Sequence, residues 1–226
     1  AVNDKFPIGP VNLSRINPAF LRAQVPYSSR EPAGTIVVDP RRHYLYFING
    51  DGTAMRYGVG VGRQGFAWKG TATINSKQEW PDWYPPKEML ERQPELMKSM
   101  KELRSGIGMP GGPRNPLGAR AMYLWQNNKD TLFRIHGTTE PWTIGTNASS
   151  GCIRMINQDA IDLYNRVTPG ARVVVLGSGA ANEIAIGPSG STPAPQPQVS
   201  QASAAAPAAR VQPAAAPASR APLGLN

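Results

Sequence analysis

The chain's single cysteine, Cys152, follows His136, one of its two histidines, by sixteen positions, within the run HGTTEPWTIGTNASSGCIRM. A thiol attacks carbonyl carbon as its thiolate, and a nearby imidazole is the usual means of making that thiolate at neutral pH. Cys152 and His136 are therefore a nucleophile-and-base candidate. Gly151 before the cysteine and Gly137 after the histidine suit such a site, because glycine lets the backbone turn tightly or approach a substrate closely. Amide N–H groups around Ser150, Gly151 and Cys152 could then point at a developing oxyanion.

A lone cysteine is more often a small buried hydrophobe than a nucleophile. The local composition argues otherwise: Ser149, Ser150 and Gly151 make a poor core segment, and Ile153 and Arg154 follow, placing a fixed cation next to the thiol. Two histidines and one cysteine, far apart in sequence, are too few for a zinc site, and no metal or cofactor is predicted. The glycines of Gly58-Val59-Gly60-Val61-Gly62 have phosphate-loop spacing, but no helix start follows; their alternation suits a strand against a cleft.

These residues resemble the L,D-transpeptidases of the YkuD type, bacterial cell-wall enzymes. The family's motif is a His-Gly pair, a gap of about fifteen residues, and Ser/Thr-x-Gly-Cys-hydrophobic-Arg/Asn. Here the matching residues are His136 and Gly137, then Ser149, Ser150, Gly151, Cys152, Ile153 and Arg154. Similarity continues through residues 34–74, EWPDWYPPKEM at 79–89 and GGPRNPLGARAMYL at 111–124, so it covers about residues 30–176. Many members carry a second histidine directly before the Gly-Cys, where this chain has Ser150. The resemblance implies Cys152 as nucleophile, His136 as base and the Gly137 carbonyl as the group that orients the imidazole. Ser149, Ser150, Gly151 and Arg154 would hold the oxyanion and substrate.

The elements that must position this pair read mainly as strands. β-Branched and aromatic residues cluster at 35–38, 44–48, 55–61, 70–74, 119–124, 132–136 and 172–176, with a hairpin signal at Asn49-Gly50-Asp51-Gly52. One helix is expected over 157–167, with Asn157 as its cap, Asp159 in its first turn and Thr168-Pro169-Gly170 as its stop. His43 is expected at a strand end. The predicted fold is a mainly antiparallel, β-sandwich-like catalytic domain over 31–178 with one packed helix. A lid-like insertion spans 79–118, where Arg114 and Asn115 are weaker candidates for substrate contact; a self-packed decoration is the equal alternative. Residues 1–30, punctuated by four prolines, read as an irregular arm. Residues 179–226 read as a disordered tail, since 187–226 hold twelve alanines and eight prolines and no Trp, Tyr, Phe, Ile or Met.

The net charge is +9, and residues 177–226 contribute only Arg210, Arg220 and Glu183, so +8 remains without them. The basic residues are dispersed and carry no nucleic-acid motif. Nothing reaches eighteen consecutive apolar residues, so no transmembrane segment is expected. A start at Ala-Val-Asn-Asp is compatible with a mature protein after signal removal, and export to the periplasm or envelope is implied by the resemblance. The implied partners are anionic peptidoglycan stem peptides, with envelope proteins as further acyl acceptors. Three functions stay open: transfer of the acyl group to an amine, transfer to water by a carboxypeptidase, and a non-catalytic wall-binding module.

Overall fold

The structure is a computed structural model that describes residues 4–62, 70–85, 87–149 and 151–177. The strands are β1 (Ala23–Pro26), β2 (Ile36–Asp39), β3 (Tyr44–Ile48), β4 (Thr53–Gly58), β5 (Val61–Gly62), β6 (Gly70–Glu79), β7 (Lys101–Leu103), β8 (Gly106–Gly108), β9 (Arg120–Gln126), β10 (Lys129–His136), β11 (Asn147–Ser149), β12 (Ile153–Arg154) and β13 (Arg172–Val175). The helices are α1 (Lys87–Arg92) and α2 (Asn157–Arg166). Nine strands form one sheet in the order β1-β4-β3-β2-β13-β6-β9-β10-β12.

The fold is mainly β, as the sequence predicts, but the sheet is mixed. Three strand pairs are parallel: β2 with β13, β10 with β12, and β5 with β11. The sheet also curls, so that its last strand meets the link between β4 and β5: Gly60 N–H donates to the Arg154 carbonyl and Arg154 N–H to the Gly60 carbonyl, at 2.9 and 2.8 Å. The glycines of this stretch serve close approach. A Cβ on Gly60 would sit 2.7 Å from the Thr143 carbonyl oxygen, and one on Gly58 would overlap Phe20.

Alternation along the strands divides the apolar residues between two faces. Ile36, Leu45, Tyr57, Ile74, Met122, Leu124 and Ile135 enclose the main core, which Met155, Ala160 and Leu163 close from around α2. Val37, Tyr46, Ile48 and Ala54 look out the other way and are covered by Tyr27 and Val25. That cover corrects the irregular-arm expectation for residues 1–30. Ala23–Pro26 pairs with β4 as an edge strand, a position a short Pro-ended segment can take, and Tyr27 stacks on Tyr46 at 4.6 Å. Propensity alone could not announce it, because the open edge of β4 supplies the pairing.

The insertion leaves and returns at adjacent points, with Trp80 N–H donating to the Ala119 carbonyl at 2.8 Å. Between them lie α1, a 3-10 turn at Pro94–Ser99 and the hairpin β7–β8. Asn115 is buried rather than turned towards substrate. Its amide donates to the carbonyls of Pro81, Met109 and Pro110, and its oxygen accepts from Leu117 N–H, so it clamps the base of the insertion. Arg114 is exposed. Among the described residues no helix is long and apolar enough to cross a membrane. The tail expected over 179–226 lies outside the described residues.

Candidate active site

β10 and β12 run side by side in parallel, with Ile135 opposite Ile153 and His136 opposite Arg154. Ile135 and Ile153 point into the core, so their neighbours point out of the other face. Gly151 agrees with this alternation: it lines a small apolar pocket with Phe133 and Ile153 on the core side. Cys152, Arg154, Arg134 and His136 thus share one face. Continuing the register places Cys152 level with Arg134, one strand across and two residues along from His136, roughly 8 Å between Cα atoms on standard strand spacings. The fifteen residues between them are folded away, so that His136 at the end of β10 and Cys152 just before β12 lie on neighbouring segments.

His136 is 4 % exposed, and its Nδ1 lies 2.5 Å from the Gly137 carbonyl oxygen. A carbonyl only accepts, so Nδ1 carries the proton and Nε2 is left as the basic nitrogen. Burial pushes the imidazole down to about 4, while the Gly137 carbonyl works in the opposite direction and the charges of Arg154 and Arg134 add to the lowering. Cys152 is half-buried. Burial pushes its thiol up, against a hydrogen bond from the Arg134 main chain and the charges of Arg134 and Arg154. The resting pair is consequently a neutral thiol beside a neutral imidazole, not the thiolate that the sequence alone suggested.

Gly151 has φ +133°, a backbone conformation reserved for glycine, and a Cβ there would press on the Phe133 ring at 2.9 Å. Its turn follows β11, which lies beside β5. Ser150 lies outside the described residues. Arg154, two residues after Cys152, has its Nη1 on Glu140 Oε2 at 2.9 Å. Arg134 is held in the same surroundings by a bidentate pair with Asp130, at 2.7 and 2.8 Å, and lies over the Tyr123 ring.

Three residues here were not singled out as site residues from sequence. Strand alternation two positions before His136 could have found Arg134, and Glu140 stands inside the motif itself. Asn157 was read as a helix cap, and that reading is corrected. Ile156 occupies the cap position of α2 without a side-chain bond, while Asn157 Oδ1 accepts from Ala119 N–H at 2.9 Å and its amide donates to the Thr138 carbonyl at 3.1 Å. Asp159 does sit in the first turn of α2, buried near Arg22, and burial raises its carboxyl to about 6. His43 lies elsewhere, at the turn before β3 with φ +58°, its Nε2 2.9 Å from Asn147 Oδ1.

The sequence is similar to that of ErfK/SrfK of Escherichia coli, a probable L,D-transpeptidase, with 31 % identity over 146 residues that cover 62 % of this chain and 43 % of that protein. It is 29 % identical to YbiS of the same organism, also a probable L,D-transpeptidase, over 62 % of this chain and 43 % of that one. A solved structure from Brucella melitensis, named a probable carnitine operon oxidoreductase, is 53 % identical; it covers 73 % of this chain and 99 % of its own, with a TM-score of 0.47. The chain thus spans less than half the length of the two Escherichia coli relatives. Residues 33–175, which hold the curled sheet, α2 and the Cys152–His136 face, match the family model of the L,D-transpeptidase catalytic domain, YkuD, and the chain belongs to that family.

Proposed function

We propose that this domain is a cysteine L,D-transpeptidase acting on peptidoglycan tetrapeptide stems. The observation that carries the reading is the parallel β10–β12 pairing, which puts a neutral imidazole with a fixed tautomer on the same face as the thiol. Nε2 of His136 takes the Sγ proton as sulfur attacks the amide carbonyl at the L-centre of the stem's third residue. The tetrahedral oxyanion is held by main-chain N–H groups of the 150–152 turn, a stabilisation of about 3–4 kcal/mol per donor in comparable sites. Collapse breaks the C–N bond, and the imidazolium gives its proton to the departing D-alanine amine. A thioester on Cys152 remains. An acceptor amine then loses its proton to His136 and displaces the thiol, giving a new amide.

Arg154 fits recognition of a stem carboxylate, with Glu140 as the competitor that the carboxylate must displace. Ser149 and Ser150, which precede Gly151 in sequence, are assigned to the substrate-binding segment. We assign residues 31–178 as the catalytic unit, working in the cell envelope, with diaminopimelate side chains or envelope-protein amines as acceptors. The test is product analysis with the full chain, a disaccharide-tetrapeptide and an added amine. The expected product joins the stem's third residue to that amine, with one D-alanine released per bond. Tripeptide alone would convert the assignment to a hydrolase, and unchanged tetrapeptide would remove it.

A further inference from the structure

We infer that Asn157 is the positioning residue for the base: its carboxamide fixes the His136–Gly137 turn and, through it, the tautomer of the imidazole. The Gly137 carbonyl can orient His136 only if Gly137 itself cannot move. Three contacts hold it. Gly137 N–H donates to the Arg120 carbonyl at 3.0 Å, and Met155 N–H donates to the His136 carbonyl at 2.8 Å. The third is Asn157, which lies directly on Gly137: a Cβ at Gly137 or at Gly118 would overlap its Oδ1. The same carboxamide joins Ala119 N–H to the Thr138 carbonyl, so it bridges the strand that ends the insertion and the loop that carries the base.

No other role accounts for this geometry. The side chain does not cap α2, although it stands at that helix's first position. Both glycines it covers lack the room for any larger residue, so the close approach is built into the chain on both sides. The segment it grips also carries Leu117, whose main chain, like the Gly137 carbonyl, favours the protonated ring against burial, and Asn115 anchors that segment by accepting from Leu117 N–H. An amide is suited to the task because it is both donor and acceptor and carries no charge beside a buried imidazole.

The inference rests on the assignment of His136 as base, but its test reads the imidazole directly. In the full chain labelled with 15N-histidine, long-range 1H–15N spectra at pH 7 report which ring nitrogen holds the proton. The wild type is expected to give Nδ1–H alone for His136. Asn157→Ala should populate the Nε2–H form and slow iodoacetamide alkylation of Cys152 at least tenfold, because Nε2 is then blocked for part of the time. Asn157→Asp keeps the acceptor for Ala119 N–H and the side-chain shape while losing donation to Thr138. It should show the same tautomer change in smaller measure, and it decides the matter alone if the alanine variant does not fold. A folded variant that keeps pure Nδ1–H and alkylates within twofold of wild type overturns the inference. Absence of turnover on stem peptides would leave these readouts unaffected and would count only against the transpeptidase assignment.

Discussion

The chain's two histidines occupy opposite kinds of surroundings. His136 ends β10, between β9 and β12, and is buried, gripped at Nδ1 by the next residue's carbonyl and under the charges of Arg154 and Arg134. His43 sits in a left-handed turn before β3, partly open to solvent, and meets an asparagine side chain and the edge of Phe20. Both could accept a proton. Each ring meets an accepting oxygen, but through different nitrogens: His136 through Nδ1, which leaves Nε2 basic, and His43 through Nε2; only the first is buried, so burial and orientation of the imidazole, rather than its presence, support the proposal of His136 as the base.

The largest effect should separate the two directly. His136→Gln is expected to lower kcat on tetrapeptide stems by about a thousandfold, within the usual range for loss of a general acid–base. His43→Ala should stay within about threefold. A steady-state assay of both folded variants checks this, and a reversal of the ranking would break the comparison.

Stability against pH sharpens it. Folded His136 stays neutral down to about pH 4, whereas the unfolded chain takes up that proton near 6.5. Its contribution is therefore complete above pH 6.5 and is lost as pH falls towards 4, by at most about 3 kcal/mol. Asp159 acts in the opposite sense, since its folded carboxyl protonates at about 6 against an ordinary 3.8, so the cost of its charge is full above 6 and is relieved on acidification. The wild type should thus be nearly flat in this window, while His136→Gln, left with Asp159 alone, should gain stability on going from pH 7 to 4.5. Urea unfolding at the two values is the check.

A smaller effect is expected at the arginine that the two partners share. Glu140→Gln frees Arg154 of its ion pair and should lower KM for stems a few-fold with kcat little changed. The smallest is at the tail. Removing residues 187–226 should leave turnover of soluble stems within about twofold, because a Pro/Ala-rich segment lacks groups to build a site.

How much of this was legible beforehand follows from what sequence encodes. Side-chain types and their spacing singled out Cys152, His136 and Gly137, and the clusters of β-branched and aromatic residues placed β2, β3, β9 and β13 within a residue or two and one end each of β6 and β10. Pairing partners were not legible. The parallel β10–β12 contact depends on two residues, Ile153 and Arg154, too short a run for any periodicity to register. The same holds for Ala23–Pro26, recruited by the free edge of β4. Asn157 misled because asparagine before an amphipathic run is a good cap signal, and only the nearby Gly118 and Gly137 divert it to the base-bearing turn. The protonation of the thiol was likewise invisible, since burial sets it and burial belongs to the fold.

In the proposed reaction Cys152 carries the acyl group, and His136, not His43, moves the protons. Single-turnover acylation by a tetrapeptide stem without acceptor, followed by intact mass and peptide mapping, tests that most directly. Wild type and His43→Ala should gain the mass of the stem less its D-alanine, all on Cys152, at equal rates. His136→Gln should acylate about a thousandfold more slowly and Cys152→Ala not at all, with thermal unfolding of the cysteine variant within a few degrees of wild type. An adduct on another residue, or normal acylation of His136→Gln with loss in His43→Ala, would contradict it.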